Sequence, residues 1–277
     1  MYKNILKGCL ISLATMGAAY ADEPSENTEQ WLRAAQNPLL PVFSVPFNYT
    51  FHGSANNGDV SIFALEPIMP IKLGSVNIIN QLSLRILDTD GGITGIEELP
   101  QLYASNSATG LADTYFTSYI SPANSGDFQW GIGPTFMFPS DHPKRELGSG
   151  KFSLGPAAML VKQTDSWTLG LRVKQLWSII GSNGRSDISQ MTVEPFASYN
   201  LDQGWYLSTN MDMISNWNST SNNRWTIPIG AGVGKVFNLS DYAINAKVGG
   251  YYNVDRPDQA PDWSMNFTLQ FMLPDWY

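Results

Sequence analysis

Phe43-Ser44-Val45-Pro46-Phe47-Asn48-Tyr49-Thr50-Phe51 alternates apolar and polar residues without a break. Residues two apart share one face of a strand, so Phe43, Val45, Phe47, Tyr49 and Phe51 make a greasy face. Ser44, Asn48, Thr50 and His52 make a wet one. A soluble sandwich can show such a strand once. Here the pattern recurs along most of the chain at lengths suited to crossing a membrane.

Working outward, residues 60–73 point Phe63, Leu65, Met69 and Ile71 one way and Glu66 the other. In 76–86, Val76, Ile78, Leu82, Leu84 and Ile86 oppose Asn77, Gln81, Ser83 and Arg85. In 128–138, Phe128, Trp130, Ile132, Phe136 and Phe138 oppose Gln129, Gly131, Gly133 and Thr135. The last run sets Met265, Phe267, Leu269, Phe271 and Leu273 against Ser264, Asn266, Thr268 and Gln270. Weaker versions lie at 112–121, 151–162, 166–179, 188–200, 205–214, 224–237 and 242–254. With the opening strand the runs number twelve, an even count, as bacterial outer-membrane barrels require.

The connections alternate as well. Those at 52–59, 87–111, 139–150, 180–187, 215–223 and 255–262 are the longer set, expected to be extracellular loops. The short ones at 72–75, 121–127, 162–165, 201–204 and 238–241 are expected to be periplasmic turns, with both termini periplasmic. Tryptophan placement agrees, because indole rings prefer the headgroup level. Trp130, Trp167 and Trp205 fall near the turn ends of strands, and Trp177, Trp217, Trp225 and Trp263 near the loop ends. The expected fold is therefore all-β: one transmembrane antiparallel barrel of about twelve strands, located in the cell outer membrane of a Gram-negative bacterium.

The ends of the chain fit that compartment. Lys3 and Lys7, the apolar run 10–18 and Ala19-Tyr20-Ala21 read as a signal peptide, residues 1–21, cleaved after Ala21. Residues 22–41 read as a periplasmic arm with a short helix over 28–35. The place of the helix is open between the periplasmic mouth, a path across the lumen and a loose terminal arm. Thr28 is its N-cap, Trp31 and Leu32 share one face, and Asn37-Pro38 stops it. Residues 42–277 form the barrel, and the aromatic last residue, Tyr277, suits recognition by the barrel-assembly machinery. The other partners expected of such a chain are outer-membrane lipid and lipopolysaccharide.

Composition removes whole classes of function. Cys9, the single cysteine, lies in the signal, so the mature chain has no disulfide and no thiolate chemistry. Without Lys3 and Lys7 the mature chain carries 14 basic against 24 acidic residues, and no basic run, so nucleic acid is not a partner. His52 ends the first strand on its wet side, and His142 sits in a loop between Asp141 and Pro143. No local pattern sets a serine within hydrogen-bond reach of either imidazole with a third group to orient the ring. No catalytic residues, metal or cofactor are therefore assigned, and the chain is not read as an enzyme. Asp255, Asp258 and Asp262 read as a solvated acidic loop. Gly230, Gly232 and Gly234 share the inward face of one strand. Their spacing is not that of a phosphate loop, and they read as a smooth wall approached by other lumen contents, the N-terminal arm being the candidate.

The inward positions carrying charge are Glu66, Arg85, Asp113, Arg172, Lys174, Glu194, Asp212, Arg224 and Lys247. Four acids against five bases predict cross-lumen ion pairs, since a charge facing a narrow cavity must be paired or hydrated. Eight strands leave an interior filled by side chains and sixteen leave an open channel, so twelve suggest a narrow or gated path.

Several segments together resemble a family of outer-membrane transporters known as the MetA-pathway of phenol degradation family, some of whose members carry the borrowed label "neuromedin U". They are Gln36-Asn37-Pro38, Ser44-Val45-Pro46-Phe47, Glu66-Pro67-Ile68-Met69-Pro70-Ile71, Gly148-Ser149-Gly150-Lys151 and Gly155-Pro156. Leu176-Trp177-Ser178, Glu194-Pro195-Phe196, Arg224-Trp225-Thr226-Ile227-Pro228 and the closing strand follow in order. Ala112-Asp113 stands where the family pattern has Gly-Asp, a small departure. The resemblance implies a barrel for passive passage of small solutes, aromatic or otherwise hydrophobic. The alternative is a non-conducting structural or adhesion barrel acting through its extracellular loops. Loop 87–111 suits either role, as an inward-folded gate or as a partner surface.

Overall fold

The computed structural model describes residues 26–56, 58–99, 106–140, 147–239 and 242–273. The signal segment with Cys9, His142 with its neighbours, and Tyr277 lie outside them. One helix, α1 (Glu26–Gln36), precedes fifteen strand segments. These are β1 (Phe43–Ala55), β2 (Gly58–Leu65), β3 (Ile68–Leu73), β4 (Val76–Thr89), β5 (Ala108–Leu111), β6 (Thr114–Pro122), β7 (Phe128–Phe138) and β8 (Lys151–Gln163). The remainder are β9 (Trp167–Gly181), β10 (Ser189–Asn200), β11 (Trp205–Asn210), β12 (Met213–Asn216), β13 (Trp225–Leu239), β14 (Tyr242–Asp255) and β15 (Trp263–Leu273).

Three strands are interrupted. β2 and β3 are halves of one strand, as are β5 and β6, and β11 and β12, which leaves the twelve strands the alternation predicts. Every sequential neighbour pairs antiparallel, and β1 pairs β15 from Phe43 opposite Leu273 to Gly53 opposite Trp263, so the sheet closes into a barrel. Closure leaves the sheet without a free first or last strand, as a wall in lipid requires. The interruptions keep the ladder going. At the first, Pro67 offers no N–H, yet the Glu66 N–H donates to the Pro46 carbonyl and the Leu82 N–H to the Pro67 carbonyl. At the second, the Ala112 N–H donates to the Arg85 carbonyl. The facing of side chains resumes unchanged beyond the first and third breaks. At the second it shifts by one residue, Ala108 facing in and Leu111 out before it, Tyr115 and Thr117 in after it.

The outward face is apolar and bare. Ile120, Ile132 and Ile229 are each more than half exposed, at 52%, 55% and 55%. A continuous belt of such residues is unstable in water and is the surface that lipid covers. Among the described residues no helix is long and apolar enough to cross a membrane. Trp130, Trp167 and Trp205 lie exposed toward the end with the short turns, and Trp177 and Trp217 toward the other. We call these the turn end and the loop end.

Three boundaries differ from the sequence reading. The connection read as 87–111 is strand at both ends, because β4 runs on to Thr89 and pairs there with β5, Ala108–Leu111. The first connection is not a loop over 52–59: β1 runs on to Ala55 through a bulge after His52, with Ser54 at φ 63°, and β2 begins at Gly58. The helix begins at Glu26, so Thr28 lies inside its first turn and not ahead of it. Its end is as expected. Asn37 turns the chain, its side chain accepting from the Leu39 N–H at 3.0 Å.

Candidate functional site

The inward faces enclose a cavity of about 380 Å³. Glu66, Arg85, Arg172, Lys174, Glu194, Asp212 and Lys247 all line it. Asp113 and Arg224 do not. Asp113 sits in the break between β5 and β6 and Arg224 directly before β13, where alternation no longer dictates direction. The Asp113 carboxylate accepts the N–H groups of Ser140 and Ser149 at 2.9 and 2.8 Å and so ties down the connection between β7 and β8. Arg224 donates to the Ser219 carbonyl at 3.3 Å, and its guanidinium lies 5.6 Å from the centre of the Trp217 ring.

The cavity is off-centre. No residue of β7 or β8 borders it. Their inward faces are covered by a packed layer in which Leu39, Ile79, Tyr119, Ala157, Met159, Val161 and Phe196 are buried together. Gly131 and Gly133 make that layer possible. A Cβ on Gly131 would meet Leu39 at 2.9 Å, and one on Gly133 would overlap the Ser118 carbonyl. The cavity therefore lies away from β7 and β8, toward the opposite wall. There Asn48, Thr50, Asn266, Thr268 and Gln270 offer amides and hydroxyls.

Charges are paired across strands. Glu194 stands opposite Arg172 in the β9–β10 register and accepts from its Nε at 2.6 Å. Asn210 extends this chain, donating to Glu194 at 3.3 Å and accepting from Lys247 at 3.3 Å. Glu66 accepts from Asn48 and Ser83, each at 2.6 Å, and lies 3.5 Å from Arg85.

Two segments enter the barrel and close it from either end. At the turn end, α1 lays Trp31 and Leu32 against Tyr206, Val236, Ala243 and Met272. The residues after it reach the far wall. Gln36 donates to Asn200 at 2.8 Å and accepts from Thr168 at 2.8 Å, while Asn37 donates to Gln129 and Gln163 at 2.7 and 2.8 Å. The arm thus spans the lumen. The glycine wall of β13 has a different tenant from the one the sequence suggests. Tyr206 lies over Gly234 and Tyr251 over Gly230, and the helix packs beside them on Val236.

At the loop end, residues 90–99 fold inward. Ile93, Ile96 and Leu99 join Val60, Ile62, Leu87, Ala108 and Leu147 in one buried cluster. Gly95 has φ +79°, and a Cβ there would meet Ala260 at 2.7 Å, so only glycine fits this close approach. Its carbonyl accepts from Thr226 at 2.7 Å. The next residues supply two carboxylates that the strand pattern gave no means of finding. Glu97 bonds Arg85 at 2.9 Å and Lys174 at 2.7 Å, and Glu98 bonds Arg85 at 2.7 Å. Arg85 also lies 4.4 Å over the Tyr115 ring. Burial works to raise Glu97, but the Lys174 ammonium and the Arg85 guanidinium overcome it and hold the carboxyl well below the usual range. Glu98 goes the other way. Burial raises it, Arg85 opposes, and the Glu97 charge beside it pushes it further up.

His52 also lines the cavity, and its Nδ1 has no hydrogen-bond partner among the described residues. No group of three metal-ligating side chains occurs among them. In the acidic loop, Asp262 pairs with Arg256, and Asp258 accepts from Asn223 at 3.4 Å.

Comparison with known proteins follows the same line. Residues 48–178 match the family model described as putative MetA-pathway of phenol degradation. This is the family that the sequence resembles. A crystal structure of the COG4313 outer membrane channel from Pseudomonas putida F1 has a TM-score of 0.61 at 14% identity, covering 84% of this chain and 95% of that one. The NanC porin structure has a TM-score of 0.51 at 10% identity, covering 84% and 100%. At such identities the likeness is one of fold. No curated protein matches the chain. Closed wall, lipid-facing belt and barrel relatives together make this a cell outer-membrane β-barrel.

Proposed function

We propose that the barrel is a narrow, gated channel for passive passage of small solutes, with the loop end outside the cell and the turn end in the periplasm. The observation that carries this reading is the cavity itself. It is polar, lined by charged side chains from six strands of the wall, and lies between two inserted segments that are not part of the wall. A barrel with a purely structural interior would be expected to fill that space with apolar side chains, as this one does against β7 and β8. The inward fold of residues 90–99 favours a gate over an adhesive surface, since the side chains that would meet a partner are spent inside. The phenol link in the family description points to small aromatic or hydrophobic solutes as cargo, and aromatic acids are the first to try.

The test is single-channel recording in planar bilayers with the refolded mature chain. Discrete current steps that a candidate solute blocks support the channel. A well-folded barrel that stays silent at all voltages, even with residues 90–99 trimmed, overturns it.

A further inference from the structure

The loop carboxylates at the gate stand where a solute's carboxylate would stand. Arg85 of β4 and Lys174 of β9 come from separate strands, and both line the cavity and converge on one carboxylate, that of Glu97. Around it, the Tyr115 hydroxyl and the Gln190 amide donate to the Glu97 carbonyl at 3.1 and 3.2 Å. Among the wall's carboxylates, Glu66 touches Arg85 at 3.5 Å, Glu194 is held by Arg172, and Asp212 lies within electrostatic reach of Lys174 without an ion pair to it. Lift the loop away and Arg85 and Lys174 keep Glu66 as their one contacting carboxylate, beside an aromatic ring. Such a cluster, with an unpaired charge next to a confined cavity, requires an anion.

We propose that Arg85 and Lys174, with the Tyr115 ring, form a binding site for carboxylate-bearing solutes, and that Glu97 is its resident surrogate, displaced when such a solute arrives. The inference rests on the channel reading and adds to it a substrate class and a trigger. A carboxylate entering the cavity takes over the donors that Glu97 uses. The loop then loses the two ion pairs of Glu97. It keeps its apolar contacts, the Gly95 bond, the Glu98 pair with Arg85 and the two bonds to the Glu97 carbonyl, a weaker hold. The same bidentate geometry that an arginine offers a protein carboxylate serves a solute's carboxylate equally well. A neutral isostere of the solute has no charge with which to compete.

Benzoate and benzamide are the matched probes. In planar bilayers benzoate raises the open probability of the unaltered barrel several-fold, and benzamide leaves it unchanged. Glu97→Gln opens without benzoate, and Lys174→Gln loses the benzoate response. A second readout does not depend on current. In detergent, a glutamate-specific protease cuts the folded barrel at Glu97 or Glu98 only when the loop is out, so benzoate accelerates that cut and benzamide does not. Equal effects of the two probes, or a cut indifferent to both, overturn the site. Silence in the bilayer together with a benzoate-dependent cut overturns the channel and keeps the site, so the two failures are told apart.

Discussion

At the residue scale, the strand alternation named seven of the charged side chains that line the cavity, because parity alone decides which face a strand residue takes. It failed at Asp113, in the break between β5 and β6, and at Arg224, directly before β13, and it was silent on Glu97 and Glu98, which sit in a loop with no period at all. Asp113 then has a different job, and substitution exposes it. Asp113→Asn leaves one oxygen for the Ser140 N–H and turns an amide N–H₂ toward the Ser149 N–H, or the reverse. Losing one buried acceptor costs about 1–3 kcal/mol. Hydrogen exchange at the Ser140 and Ser149 amides should quicken while single-channel conductance stays the same. A changed conductance would put Asp113 back in the path.

Glu97 and Glu98 set a pH dependence with a definite sign. A carboxyl raised on docking favours the docked state when protonated, so the contribution of Glu98 is complete below the ordinary carboxylate range and is lost as pH rises through its raised value. Glu97, held low, contributes above the ordinary range and loses its contribution toward strong acid. The titratable and charged groups that face them are Arg85, Lys174, Glu66, Tyr115 and, across the cavity, Asp212. The docked loop is therefore most secure in mild acid and loosens toward alkaline pH. Open probability recorded from about pH 5 to about pH 9 should rise, and Glu98→Gln should flatten the curve. A flat curve in the unaltered barrel would contradict this assignment.

At the element scale, period two located twelve strands to within a few residues, and Asn37-Pro38 ended the helix where the chain does end it. The sequence left the place of that helix open between a periplasmic mouth, a cross-lumen path and a loose arm. The reason is that a short amphipathic helix states which face it buries but not against what. The partner surface is spread over β11, β13, β14 and β15, and Gly234 is the residue that makes room in it. Tyr206 can lie flat only because no Cβ stands at Gly234, where it would come within 2.2 Å of the ring, and its hydroxyl then reaches Asn245 at 2.7 Å. Gly234→Val should evict Tyr206, at about 1–3 kcal/mol for overpacking. The helix seat then opens, and trypsin should cut after Arg33 faster. Gly184→Val is the matched control, since a Cβ there meets only Ser182 at 4.0 Å, and it should leave the cut rate unchanged.

At the scale of the whole molecule, the off-centre lumen was beyond the reach of pattern reading. Alternation says that Gly131, Gly133 and Met159 face inward, but not that Leu39 and Tyr119 fill the space before them. That asymmetry leaves one path along the β1, β14 and β15 wall, with α1 at one end and residues 90–99 at the other. Two obstructions on one path behave as resistances in series. Removing either alone leaves the current limited by the other, so deleting 26–36 or trimming 90–99 should each raise conductance only modestly. Removing both should raise it by more than the two separate gains added together. Independent sites far apart would instead give additive effects on stability, which urea unfolding of the same three variants can check. Gains in conductance that simply add would mean two parallel routes through the barrel, one beside each segment, and would sink the single-path reading of the lumen.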